Sequence, residues 1–397
     1  MPVSDTTANP SHSILIGGCR LGAGRRTWII AEAGVNHDGE LDRALRLVDA
    51  AVEAGADAVK FQMFRAEDIA TAGAPMASYQ RQNREDSSTS ARIDAGASMK
   101  PGLSARAEAR GSQDQRAVAR AEARGSEVVT QRTMLSRLEL PAIAFARIRR
   151  HCDERSIRFL ASPFSPAALA QLVALRPTAI KIASTDLTNT PLLASAANTG
   201  LPLVLSVGAS TVEEIEAAVQ IVRAHPLVLL HCVSCYPTPI EAINLRAIGA
   251  LGKRFDVPAG LSDHTTSTEV GAWAVAAGAC VLEKHLTLDR SATGPDHAMS
   301  LAPDELHAYI ARVREVESAM GDGRIGMTDR EVEVRAVAGR SVVTARDVPA
   351  GTVLTADMLT LKRPGTGLDP STLETLVGRT VRSPLPADTM LSWEIVR

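Results

Sequence analysis

Residues 28–62, WIIAEAGVNHDGELDRALRLVDAAVEAGADAVKFQ, read as one strand–helix–strand unit. Residues 28–33 form an apolar run broken only by Glu32, and residues 57–62 form a second run that carries Lys60. Between them, residues 41–54 place apolar side chains at helical spacing with charges on the other face. Two short buried strands joined by an amphipathic helix are the sequence form of a parallel βαβ unit. The alternation recurs, with further strands expected at 157–162, 178–183, 202–206, 227–232, 257–262 and 279–285, and further helices at 211–223 and 303–320. Eight such units between residues 28 and 320 predict a (β/α)₈ TIM barrel, an α/β fold whose chemistry sits at the C-terminal ends of the strands.

Composition narrows the class. The 397 residues are 45% hydrophobic and 22% charged, values of a globular protein that exclude disorder throughout or a fibrous repeat. Lys plus Arg number 43 against 45 Asp plus Glu, so no global field draws the chain to nucleic acid, and none is expected as a partner. Five scattered cysteines, Cys19, Cys152, Cys232, Cys235 and Cys280, are too few for a disulfide framework and point to a reducing, cytoplasmic location. The first 13 residues show no basic cluster followed by an apolar stretch, so no secretory signal is expected. No apolar run approaches the roughly 20 residues of a membrane span, and no membrane partner is expected.

Four regions follow. Residues 1–27 are an extension ending in IGGCRLGAG (16–24), which leads into no helix and is therefore expected to form a hairpin under the barrel rather than a phosphate loop. The barrel spans 28–320 and carries an insertion at 84–130 that has no aromatic residue and contains ARAEARGS twice, at 105–112 and 119–126. Two repeats cannot form a solenoid, and a segment this polar buries little, so a loop insertion is expected. The interspersed acids and the lack of stacking aromatics weigh against a nucleic-acid arm. Residues 321–335 read as a linker. Residues 336–397, with short β-type runs between turn pieces such as Pro364-Gly365-Thr366-Gly367, read as a small β-rich domain.

Nearly every expected strand ends in a polar residue: Glu32, Lys60 with Gln62, Ser162, Lys181 with Ser184 and Asp186, Ser206, His231, Ser262-Asp263-His264, and Glu283-Lys284-His285. Packing alone would leave these positions apolar. Converging them on one rim costs desolvation unless they pair or bind a ligand. His264 and His285 end neighbouring strands and suit a shared divalent ion of the Mn, Fe, Co or Zn type. Lys60, Lys181 and Ser206 suit a phosphate or carboxylate, although a lone barrel lysine is equally a Schiff-base nucleophile. His231 is the weaker ligand candidate, and Cys232 with Cys235 lacks the second cysteine pair of a zinc site.

In this order the rim resembles the sialic acid synthases, which condense phosphoenolpyruvate with an N-acylated sugar. The matching stretches are IIAEAGVNHDGELDRAL, GADAVKFQ, ASPFS, AIKIAS, LSVGAS, LLHCVSCYPTP, GLSDHT, VLEKH and TGPDHAMS, followed by SVVTARDVPAGTVLT and LKRPGTG. The resemblance implies a TIM barrel with a C-terminal antifreeze-like (SAF) domain, in a homodimer that exchanges SAF domains over the partner's active site. It implies that His264 and His285 hold a divalent ion, usually Mn²⁺. By the same resemblance Lys60, Lys181, Ser184, Ser206 and Ser262 hold phosphoenolpyruvate, with Gln62 and Tyr236 near the sugar. Arg363 would contact the sugar's N-acyl group in trans, and Glu32, Glu283 and Asp296 would complete the catalytic shell.

Two positions depart from the family pattern. Ser184-Thr185-Asp186-Leu187 replaces the usual GEC, and Ser234 stands at the usual Asn, so Asp186 and Ser234 are the expected acceptor-contacting variants. The expected product is a nine-carbon sialic acid plus phosphate, with N-acetylmannosamine the first-choice acceptor. A 2,4-diacetamido-6-deoxy sugar, leading to legionaminic or pseudaminic acid, is the alternative. A Schiff-base aldolase and a non-catalytic carbohydrate-binding protein are the more distant rivals.

Overall fold

A computed structural model describes residues 13–78, 80–81 and 130–397; the start of the N-terminal extension and the insertion from residue 84 to 129 lie outside the described residues. The chain divides into two compact units, 1–322 and 323–397.

The first unit is a closed parallel barrel. Its strands are β3 (Trp28–Gly34), β4 (Ala58–Met63), β5 (Arg158–Pro163), β6 (Ile180–Ile182), β7 (Leu203–Ser206), β8 (Leu227–Cys232), β9 (Ala259–Asp263) and β10 (Val281–His285). They close in chain order, with β10 pairing back onto β3. The helices form for visible reasons. Leu41–Ala54 buries Ala44, Leu47, Val48 and Ala51 at intervals of three and four residues. Val212–Val222 starts at a capping box in which Thr211 and Glu214 bond each other's backbone N–H.

Two apolar layers hold the barrel. One lies between the strands and the outer helices, from Leu47 and Ile148 to Leu306 and Val313. The other fills the barrel's lower interior with Trp28, Ile30, Ala58, Leu160, Val204, Val228, Leu230 and Val281. An antiparallel hairpin, β1 (Ile14–Ile16) and β2 (Cys19–Leu21), inserts Ile16 and Leu21 into that second layer. The stretch 16–24 is therefore the hairpin that its lack of a following helix implied. Gly260 is required where the interior is tightest, because a Cβ there would lie 2.1 Å from the Val281 carbonyl oxygen.

The second unit has its own core, including Val342, Val348, Leu354, Leu376, Val381 and Val396. Its one ladder pairs β11 (Ser341–Thr344) with β12 (Leu359–Lys362), and isolated bridges such as Val348 to Leu385 extend the β character. The stretch read as a linker is not extended throughout: a helix, Val332–Ala338, begins inside it. Its valines, Val332, Val334 and Val337, are exposed, so the stretch lacks the buried stripe by which a helix is found in sequence.

Candidate active site

Side chains alternate across a strand, so the residues two places beyond the lower interior layer also face inward. From Ile30 this step reaches Glu32; from Ala58, Lys60 and then Gln62; from Leu160, Ser162; from Val204, Ser206; and from Leu230, Cys232. From Val281 it reaches Glu283 and His285. The intervening residues face outward. Lys284 Nζ bonds Asp263 Oδ2 at 2.9 Å and the Thr265 carbonyl at 2.6 Å, over the Tyr309 ring, which makes Asp263 and Lys284 structural rather than part of the rim.

Glu32, Lys60, Gln62, Lys181, Ser184, Ser206, Tyr236, Ser262, His264, Glu283, His285 and Asp296 all line one cavity of about 180 Å³. At its floor Lys60 Nζ lies 3.2 Å from Glu32 Oε2 and 3.1 Å from Glu283 Oε2, and Lys181 Nζ lies 3.7 Å from Glu283 Oε1. Ser262 Oγ donates to Glu283 Oε1 at 2.7 Å, and Gln62 Nε2 donates to Glu32 Oε1 at 3.1 Å. Two ammoniums and two carboxylates thus sit together almost wholly buried, an arrangement that holds only because each charge faces an opposite one.

Their protonation differs accordingly. Burial, opposed by Lys60, raises Glu32 to about 7. Burial acts on Glu283 too, but Lys181 and Lys60 outweigh it and hold that carboxyl well below the usual range. Burial brings Lys181 down to about 8. Lys60 is raised, because Glu283 and Glu32 overcome its burial. The floor therefore carries a fixed anion, a fixed cation and two groups that exchange protons near neutrality.

Above them, the rings of His264 and His285 stand 5.4 Å apart, edge to face, and Tyr236 lies 4.3 Å from His264. His264 Nδ1 is 2.9 Å from the Val233 carbonyl, which fixes a proton on Nδ1 and leaves the Nε2 lone pair available. Burial, followed by the neighbouring His264 ring and Lys60, pushes His285 well below the usual imidazole range. Its Nδ1 has no hydrogen-bond partner, and the nearest carboxylate, on Asp296, is 3.7 Å away. Two neutral-capable imidazoles, one with an orphaned buried nitrogen, fit a divalent ion of the Mn, Fe or Zn type. Among the described residues no group of three or more His, Cys, Asp or Glu is arranged for a metal. Ser206 Oγ is likewise buried without a partner, beside Lys181.

Gly34 lies close behind three of the lining side chains. Its φ is +50°, and a Cβ there would lie 3.2 Å from Glu32 Oε1, 3.3 Å from Gln62 Nε2 and 3.5 Å from Asp296 Oδ2.

Two expected residues of the first unit stand apart from this cavity. Asp186 sits in a 3₁₀ turn, where Asn189 Nδ2 donates to Oδ1 at 3.0 Å and Thr185 Oγ1 to Oδ2 at 3.4 Å; its carboxylate is spent on its own loop, and Thr185 lines the cavity instead. Ser234 is exposed and does not line the cavity. Arg363 belongs to the second unit. The weaker candidate His231 is also elsewhere, bonded to the Ile243 carbonyl at 2.6 Å.

Other lining residues escaped the sequence reading. Cys232 is buried and lines the cavity, with Sγ 3.8 Å from His264 Nδ1. Burial disfavours its thiolate, yet His264, Ser184 and Lys181 bring it down to about 7. Its place two residues after Leu230 was the available signal. Val35, Leu135 and Phe164 form an apolar wall that continues into Phe64 and Leu138; such contacts between distant loops leave no mark in sequence.

Comparison with known proteins agrees with this geometry. The NeuB family model matches residues 47–102 and 104–325, and the SAF domain model matches 339–397. N,N'-diacetyllegionaminic acid synthase of Legionella pneumophila is 35% identical over 94% of this chain and 95% of its own length. Human N-acetylneuraminate-9-phosphate synthase is 32% identical over 93% of this chain and 92% of its own length. Among solved structures, the N-acetylneuraminic acid synthetase of Leptospira borgpetersenii, in complex with citrate, superposes with a TM-score of 0.64 at 30% identity, covering 82% of this chain and 95% of that one. Among the described residues no helix is long and apolar enough to cross a membrane.

Proposed function

The chain belongs to the NeuB family, and on that footing we propose that it condenses phosphoenolpyruvate, water and an N-acylated hexosamine into a nine-carbon α-keto acid and inorganic phosphate. The observation that carries this reading is the sharing of one cavity by Lys60, Lys181, the unpartnered Ser206 hydroxyl and the His264–His285 pair. A phosphorylated, carboxylated substrate meets cations and a free hydroxyl donor there, next to a place for a second substrate.

Lys60 and Lys181 would exchange part of their pairing with Glu283 for the anionic groups of phosphoenolpyruvate, with Ser206 and Ser184 adding hydroxyl contacts. C3 of the enol then attacks the open-chain sugar's aldehyde carbon, and C2 is left cationic for water to trap. Glu283, ionised and fixed by Ser262, faces that developing positive charge. Glu32, raised to about 7, is the group that can hold or release the proton these steps move. The tetrahedral adduct breaks its C2–O bond and phosphate leaves. A divalent ion on His264 and His285, Mn²⁺ by resemblance, would supply Lewis acidity toward the aldehyde oxygen. Asp296, with Gln62 and Tyr236, borders the space left for the sugar.

Lys181 favours one rival. A buried lysine brought down to about 8 is also what a Schiff-base aldolase needs. Borohydride trapping with pyruvate separates the two, since only the aldolase leaves a reduced adduct. The main test is phosphate release from phosphoenolpyruvate against a panel of hexosamines, with products weighed by mass spectrometry. Acceptor-dependent phosphate and a product of matching mass are expected; silence across the panel would favour a carbohydrate-binding role.

A further inference from the structure

Asp296 reaches the cavity from an irregular stretch, well beyond the end of β10 at His285. Its Oδ2 lies 3.7 Å from His285 Nδ1, and its side chain caps no backbone of the short 3₁₀ turn that follows it. Glu32, Lys60 and Glu283 are held by strand ladders; Asp296 is not. A shift of about 1 Å is enough to lose a productive contact, so a carboxylate on a loop needs some other restraint.

Two buried polar chains grip that turn. Ser300 Oγ donates to the Asp296 carbonyl at 2.6 Å, and Asn36 Nδ2 donates to Ser300 Oγ and to the Leu286 carbonyl, both at 2.9 Å. His297 Nε2 lies 3.0 Å from Asp38 Oδ1, and its Nδ1 lies 2.7 Å from Thr287 Oγ1. Asp38 is in turn ion-paired with Arg43. The chains come from the loops after β3 and β10, which are neighbours in the barrel. Asn36, Thr287, His297 and Ser300 are all but fully buried, yet none of them lines the cavity. Burying four polar side chains costs desolvation that apolar residues would avoid, and the proposed chemistry touches none of them. A Cβ at Gly294 would lie 2.6 Å from His297 Cδ2, so glycine alone lets the ring lie this close to the chain leading into Asp296.

We infer that His297 and Ser300 are positioning residues. With Asp38, Thr287 and Asn36 they lock the turn that presents the Asp296 carboxylate to the cavity, and they act on turnover only through Asp296. The inference rests on the synthase reading for the reaction that Asp296 serves.

The test is a double-mutant cycle on phosphate release, with His297→Leu made in the full chain and in Asp296→Asn. Alone, His297→Leu should lower kcat/KM for the acceptor by about tenfold to a hundredfold, with the KM for phosphoenolpyruvate unchanged. In the Asp296→Asn chain the same change should cost less than about twofold, because its route to the chemistry is already gone. His297→Gln, which can bond Asp38 again, should recover part of the loss. Ser300→Ala, a smaller excision, should repeat the pattern more weakly and serves where His297→Leu does not fold. Equal losses in both backgrounds, or a KM for phosphoenolpyruvate that rises with the acceptor's, would assign these residues to folding alone and overturn the inference. Crystal structures of the variants read the placement apart from turnover, and decide where Asp296→Asn is too slow to measure. In His297→Leu the separation of Asp296 Oδ2 from His285 Nδ1 should grow by about 1 Å or more with the barrel unchanged; an Asp296 left in place overturns the inference. A displaced Asp296 in a protein whose wild type releases no phosphate with any acceptor would uphold the clamp and sink the synthase reading.

Discussion

Lys60 Nζ stands 3.1 Å from Glu283 Oε2, at the centre of a buried cluster in which neither charge reaches bulk water. Glu283 compensates both Lys60 and Lys181. Replacing it by Gln leaves ammonium charge buried with Glu32 as the only remaining carboxylate at 3.2 Å. Breaking such a pair costs about 3–5 kcal/mol. Glu283→Gln should therefore lower the melting temperature and abolish turnover together. The double change Lys60→Met, Glu283→Leu should regain stability without regaining activity. Wild-type turnover in the single variant would remove Glu283 from the mechanism.

Glu32 gives a pH signature. Its carboxyl is raised from 4.5 to about 7 in the folded chain, so the folded state binds the proton more tightly than the unfolded one. The stability this provides is fully present below pH 4.5 and is lost as pH rises through 7. Glu32→Gln should flatten the pH dependence of the melting temperature in that window. It should also remove the limb of the kcat/KM profile with an apparent pKa near 7. Profiles unchanged by the substitution would assign the proton to another group.

Gly34 separates binding from folding. A methyl group at this position would press on Glu32 and Gln62 while requiring the left-handed conformation. The conformational strain costs on the order of 1 kcal/mol, whereas the displaced side chains border the space proposed for the acceptor. Gly34→Ala should raise the acceptor KM far more than it lowers the melting temperature, and steady-state kinetics beside thermal melts would show whether it does.

The proposed role of His264 and His285 has a readout besides activity. His264→Ala and His285→Ala should each lose bound Mn²⁺, measured by equilibrium dialysis or paramagnetic relaxation, and turnover with it. Metal bound at wild-type affinity in either variant would place the ion elsewhere.

Arg363 tests the expected exchange of domains in a homodimer. If one chain's Arg363 serves its partner's site, mixing the inactive chains Arg363→Ala and His264→Ala rebuilds one complete site per hybrid dimer, restoring about a quarter of the activity. No recovery on mixing, with both variants inactive alone and dimeric, would place Arg363 in its own chain's site or outside the chemistry.

The barrel and its rim were legible because strand alternation is local. Two-residue steps from Ile30, Ala58 and Val281 lead to Glu32, Lys60 and Glu283 whatever the loops do. Asp186 was not legible, since Asn189 captures its carboxylate through a turn that spacing does not reveal. Cys232 has its signal elsewhere: its two-residue step from Leu230, not its spacing from Cys235, gives its place on the inward face next to His264.

The most direct measurement uses phosphoenolpyruvate labelled with ¹⁸O in its C2–O–P bridge, together with the preferred acceptor and Mn²⁺. Phosphate carrying the label, and a keto acid whose mass equals acceptor plus phosphoenolpyruvate plus water less phosphate, are the outcome that attack on the aldehyde followed by C2–O cleavage predicts. Label retained in the keto acid, or phosphoenolpyruvate left intact beside every acceptor, would contradict the account.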